Sequence, residues 1–83
     1  MRVTSPTLLA AAVRDQRKIS KLTQAEAAKL VGIKQTTVSD FELRPESTKL
    51  ETLFKLLSAL DLELHVVKRG STLDDNKVWD REW

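Results

Sequence analysis

Apolar residues recur at helical spacing in four stretches of this chain and alternate with polar ones in a fifth. The clearest stretch is Leu50, Leu53, Phe54, Leu57 and Leu60, at i, i+3, i+4, i+7 and i+10, which predicts an amphipathic helix with these residues inward. Thr48 with Glu51 reads as its capping box. Nearer the N-terminus, Ser5-Pro6 is a helix start, with Ser5 as N-cap and Pro6 at the first helical position. Leu9, Val13 and Gln16 then share a face up to about Lys18, and Ala10, Ala11 and Ala12 raise helix propensity.

Thr23-Gln24-Ala25-Glu26 is a second capping box and opens a helix whose Ala27, Ala28, Leu30 and Val31 turn inward. Gly32 ends that helix as a residue able to take positive φ. A third helix spans Gln35 to Leu43, with Val38 and Phe41 inward and Leu43 able to extend them. Arg44-Pro45-Glu46-Ser47 is a loop, because Pro45 disfavours helix at Arg44.

Leu62 to Lys68 alternates and is rich in β-formers, so it reads as a strand, the only good candidate in the chain. A lone strand leaves its backbone groups open. Antiparallel pairing with the same strand of a second copy closes them, through Leu62, Leu64 and Val66, and predicts a two-fold homodimer. The alternative is an extended segment lying on the chain's own core. His65, on the Glu63 and Val67 face, reads as a surface or interface residue.

Composition narrows the picture. Eighty-three residues make one small domain with a thin core, for which a partner chain is a natural staple. There is no cysteine and one histidine, so disulfides and thiolate metal sites are excluded and no metal or cofactor is expected. No apolar run reaches a membrane-spanning length, and Met1 to Pro6 lacks a signal peptide's apolar region, so a cytoplasmic protein is expected. No nucleophile–base pair or phosphate loop is visible, which argues against an enzyme. Residues 1–69 carry 12 Lys and Arg against 8 Asp and Glu, while residues 70–83 carry 2 against 4. A basic body thus bears an acidic, turn-rich tail that reads as flexible.

Gln24 to Leu43 has the spacing of a helix-turn-helix: small Ala28, Gly32 at the turn, and apolar Ala27, Val31, Ile33, Val38 and Phe41 joining the helices. The outward face of the second helix shows Gln35, Thr36, Thr37, Ser39 and Asp40, mediocre helix formers where Glu, Lys and Ala would be ordinary. Gln can bond an adenine edge, Lys can reach guanine, and a Thr methyl can meet a thymine methyl. Lys34 and Gln35 lie at the end that enters the major groove in this motif. The start of the preceding helix favours a phosphate near Thr23 and Gln24.

These residues, from Thr23-Gln24-Ala25-Glu26 through Gly32-Ile33-Lys34-Gln35-Thr36-Thr37-Val38-Ser39, resemble the Cro/C1-type repressor helix-turn-helix family. With Ser5-Pro6-Thr7, the helix-to-strand run and the terminal Glu82-Trp83, the chain is similar to HipB-type antitoxins, the DNA-binding partners of HipA-type serine/threonine kinases. The resemblance implies an all-α, lambda-repressor-like domain of four to five helices over residues 1–69, with a C-terminal intersubunit β-ribbon. It implies pairing of Arg17 with Glu42, which otherwise read as two solvated charges. It implies base reading by Lys34, Gln35, Thr36 and Ser39 and backbone contact by Gln24 and Thr37, beside the phosphate expected near Thr23. It further implies a homodimer on palindromic operator DNA that represses its own operon and holds a HipA-like kinase inactive. The tail's Trp83, and Trp79 with it, would anchor that kinase or fold back on the chain's own core. A stand-alone phage or restriction-system regulator is the other reading.

Overall fold

A computed structural model describes residues 2–69. They form four helices, α1 (Pro6–Ile19), α2 (Gln24–Leu30), α3 (Gln35–Leu43) and α4 (Leu50–Ala59), with one 3-10 turn at Pro45–Ser47. The Ser5 hydroxyl caps α1 by accepting from the Leu8 N–H at 3.1 Å, with Pro6 in the first turn. At α2 the capping box is complete: the Thr23 hydroxyl accepts from the Glu26 N–H at 3.0 Å, and the Glu26 carboxylate accepts from the Thr23 N–H at 2.8 Å.

Three helix ends are built alike. After α1, α2 and α4 the chain turns through a left-handed residue, Lys21 (φ 60), Gly32 (φ 70) and Asp61 (φ 57). The residue that follows each donates its N–H back into the helix: Leu22 to Arg17 O at 3.1 Å, Ile33 to Ala28 O at 3.0 Å, and Leu62 to Leu57 O at 2.8 Å. These are Schellman ends, and their apolar last residue packs inward. Leu22, Ile33 and Leu62 all rest against the core.

That core consists of Ala10 and Val13 of α1, Ala28 of α2, Val38 and Phe41 of α3, Leu53, Leu56 and Leu57 of α4, and its C-cap Leu60. Ala27 is also fully buried, and the two alanines let α2 and α3 approach closely.

Three expectations need correction. On α4 the buried arc is Leu53, Leu56, Leu57 and Leu60, not the five residues of the sequence pattern. At about 100° per residue, Leu50 and Phe54 lie to one side of that arc, 71% and 51% exposed. Thr48 does not cap α4. It closes the 3-10 turn, its N–H bonding Pro45 O at 3.1 Å, so Lys49 becomes the N-cap and supplies no side-chain bond. Leu30 and Leu43 point outward, because seven-residue α2 is filled by its alanines and Leu43 ends α3 past the last buried turn. Residues 62–68, expected to pair with a second copy, have no strand to pair with among the described residues of the single chain.

Candidate nucleic-acid interface

The turn at Gly32 sets α3 across α2 with its polar face outward. Lys34, Gln35 and Thr36 are exposed at the start of α3, while Thr37 and Ser39 are half-buried one turn on. Lys34 is the N-cap of α3 but makes no side-chain bond, and the first turn holds no acid. The positive end of this nine-residue helix therefore faces solvent uncompensated.

Behind this face runs a connected polar chain. Arg17 of α1 donates Nε to Glu42 Oε2 at 2.7 Å and Nη2 to Glu42 Oε1 at 3.0 Å. Its third donor, Nη1, reaches the Leu22 carbonyl at 2.9 Å. One guanidinium thus ties α1, the α1–α2 turn and the end of α3 together. Gln24, first residue of α2, donates Nε2 to Glu42 Oε1 at 3.0 Å. Its own carbonyl accepts from Gln35 Nε2 at 2.6 Å. The sequence-predicted residues Arg17, Glu42, Gln24 and Gln35 are brought into one hydrogen-bonded line, with Thr23 beside it.

Burial by itself would raise the Glu42 carboxyl. The bonds from Arg17 and Gln24, with the Arg17 and Arg14 charges, outweigh it and hold the group below the ordinary carboxylate range. Glu26 is also lowered, first by the Thr23 backbone N–H that its carboxylate accepts and then by its side-chain bonding with Thr23.

Thr37 opens onto a polar cleft of about 300 Å³, shared with Asp40, Arg44, Ser47, Thr48, Lys49 and Thr52. Sequence reasoning passed over Arg44 and Lys49. Their signal was weak: Arg44 read as loop, and Lys49 was hidden by the misplaced cap at Thr48. Arg44 also lies 3.9 Å from Asp40, an exposed and weak pairing.

Leu62 is half-buried on the chain's own core, whereas Leu64 and Val66 are exposed. With Phe54, Leu64 edges an open groove of about 490 Å³ floored by Leu57 and Leu62. His65 and Glu63 meet at 2.6 Å on the opposite side of the alternation. Trp79, Trp83 and the acidic tail lie outside the described residues. Among the described residues no cluster of His, Asp and Glu could hold a metal, and no helix is long and apolar enough to cross a membrane.

Comparison with known proteins agrees with this geometry. The Helix-turn-helix family profile HTH_3 matches residues 13–67. Antitoxin HipB of Escherichia coli strain K12 is 46% identical over 83 residues, covering 99% of this chain and 94% of its own. A solved HipA–HipB–O2–O3 complex contains a chain 42% identical, covering 83% of this chain and 97% of that one, with a TM-score of 0.81. A HipB–O4 20mer complex matches with the same identity, coverage and TM-score.

Proposed function

The chain belongs to the helix-turn-helix family, among the HipB-type antitoxins, and on that premise we propose that it is a dimeric operator-binding repressor that also holds a HipA-like kinase inactive. The observation that carries the DNA reading is the placement of Gln35: exposed at the bare positive end of α3 and braced from behind by Gln24. In this reading α3 lies in the major groove, where Lys34, Gln35, Thr36 and Ser39 read base edges. Thr23, Gln24 and Thr37 contact the backbone. The cleft beside Thr37, with Arg44 and Lys49, takes a further phosphate.

A palindrome requires two copies of α3 about 34 Å apart, one helical turn of DNA. The second copy is recruited through residues 62–68, which pair as a two-stranded ribbon and bring Leu64 and Val66 against the groove at Phe54. The kinase role rests on the likeness to HipB, which has been solved in complex with HipA. Self-repression of the operon follows from the same likeness, with Trp83 the anchor offered to the kinase.

The test is a titration of operon DNA at several salt concentrations, with the neighbouring kinase added in a second series. Affinity should fall steeply with salt, and the kinase should co-purify with the repressor. Gln35→Ala should weaken the specific site by about 1–3 kcal/mol and leave random DNA nearly unchanged. A salt-independent response defeats the DNA reading, and equal loss on all sequences shows that Gln35 is not a base reader.

A further inference from the structure

The polar line behind α3 has a direction. Glu42, held by the Arg17 guanidinium, is ionised, and an ionised carboxylate accepts hydrogen bonds but donates none. Gln24 must therefore turn its amide NH₂ toward Glu42, where Nε2 stands 3.0 Å from Oε1. That turns the Gln24 carbonyl toward Gln35. Gln35 must answer with its own NH₂, at 2.6 Å. A solitary exposed glutamine can present its amide either way round. In this line each amide has one orientation that bonds and one that sets like atoms against each other.

We propose that Glu42 is a positioning residue: acting through Gln24, it fixes which way round the Gln35 amide faces and so which base edge α3 accepts. This inference rests on the reading of Gln35 as a base contact. With one N–H given to Gln24, Gln35 keeps one N–H and its carbonyl oxygen for a partner. The major-groove edge of adenine offers one acceptor, N7, and one donor, N6, which match that pair. Guanine offers two acceptors, O6 and N7, and needs two donors that Gln35 no longer has free. Glu42 selects against guanine without touching DNA. Arg17 assists by keeping Glu42 an acceptor only and by fixing the plane of its carboxylate through two bonds.

The test is selection of bound duplexes from a pool with randomised half-sites, read by sequencing, for the wild type and three variants. Gln35→Ala locates the position in question: the wild type should favour adenine over guanine there by about 5- to 150-fold, and the variant should not. Gln24→Leu cuts the line but leaves the Arg17–Glu42 pair, and Glu42→Gln lets the line run in either direction. Both should reduce the adenine-to-guanine ratio at that position by about fivefold or more and keep the preferences elsewhere in the half-site. Gln24→Leu carries the test if Glu42→Gln fails to fold, as judged by circular dichroism. An unchanged ratio in the folded variants overturns the inference, and so does a uniform loss of preference at every position. If Gln35→Ala alters no position, the base-contact reading itself fails and takes the inference with it.

Discussion

Arg17 and Glu42, 25 residues apart, meet through two parallel bonds of 2.7 and 3.0 Å, with side chains only 12% and 5% exposed. A pair this enclosed adds little net stability over apolar packing, because both charges are desolvated. Removing one partner is different, since it strands the other charge. Arg17→Ala should cost about 3 kcal/mol, and Arg17→Lys should recover only part of it, because lysine lacks the two-pronged geometry. The double variant with Glu42→Ala should lose much less than the sum of the single variants. Urea denaturation at one fixed protein concentration measures all four variants, Glu42→Ala alone included. Additive losses would mean that the pair is not coupled.

The same carboxyl makes stability depend on acid. Its folded-state pKa lies below the ordinary value, burial being outweighed by Arg17 and Gln24. A depressed carboxylate contributes stability that is present above its unfolded pKa, about 4.3 for Glu, and lost as pH falls through the lower folded value. Glu26 acts in the same direction through its bonds at Thr23. The melting temperature should therefore hold steady near neutrality and fall progressively below about pH 4.3. Glu42→Gln should start from a lower plateau and show a shallower acid decline. An acid limb identical to that of the wild type would remove Glu42 from the account. Thermal melts across this pH range provide the measurement.

Much of this was legible in the chain, and the exceptions have physical reasons. Ser5-Pro6, the Thr23–Glu26 box and Gly32 are local signals, each satisfied by atoms three or four residues away, so they read directly. The helix ends at Lys21 and Asp61 have the same geometry as Gly32 but not its residue, and positive φ at a non-glycine leaves no mark in the sequence. On α4 the apolar pattern is wider than the buried arc, so spacing could not separate core Leu56 from exposed Phe54. Arg17 and Glu42 became a pair only through family resemblance, because nothing local ties the last turn of α1 to the last turn of α3. The onward links to Gln24 and Gln35 depend on the packing of three helices and were not visible in one dimension.

The segment 62–68 leads to the last prediction. No strand exists among the described residues to receive its backbone groups, and Leu64 and Val66 are 49% and 66% exposed two residues apart on one side. Leu50 and Phe54, misjudged as core, are exposed on the neighbouring helix face. Burying such side chains is worth about 1.5–3 kcal/mol each, and a second copy supplies the cover without a new sequence. Leu64→Glu places a charge on that surface. If the surface were simply solvated, the change would shift stability by about 0.5 kcal/mol or less. If it is covered by a second chain, the variant should sediment as a monomer where the wild type sediments as a dimer. Its melting temperature should lose its dependence on protein concentration, and operator affinity should drop because the two half-sites are no longer bound together. Analytical ultracentrifugation of both proteins over a wide concentration range decides between these. A wild type that remains monomeric throughout would return the segment to the alternative, an extended stretch lying on its own core.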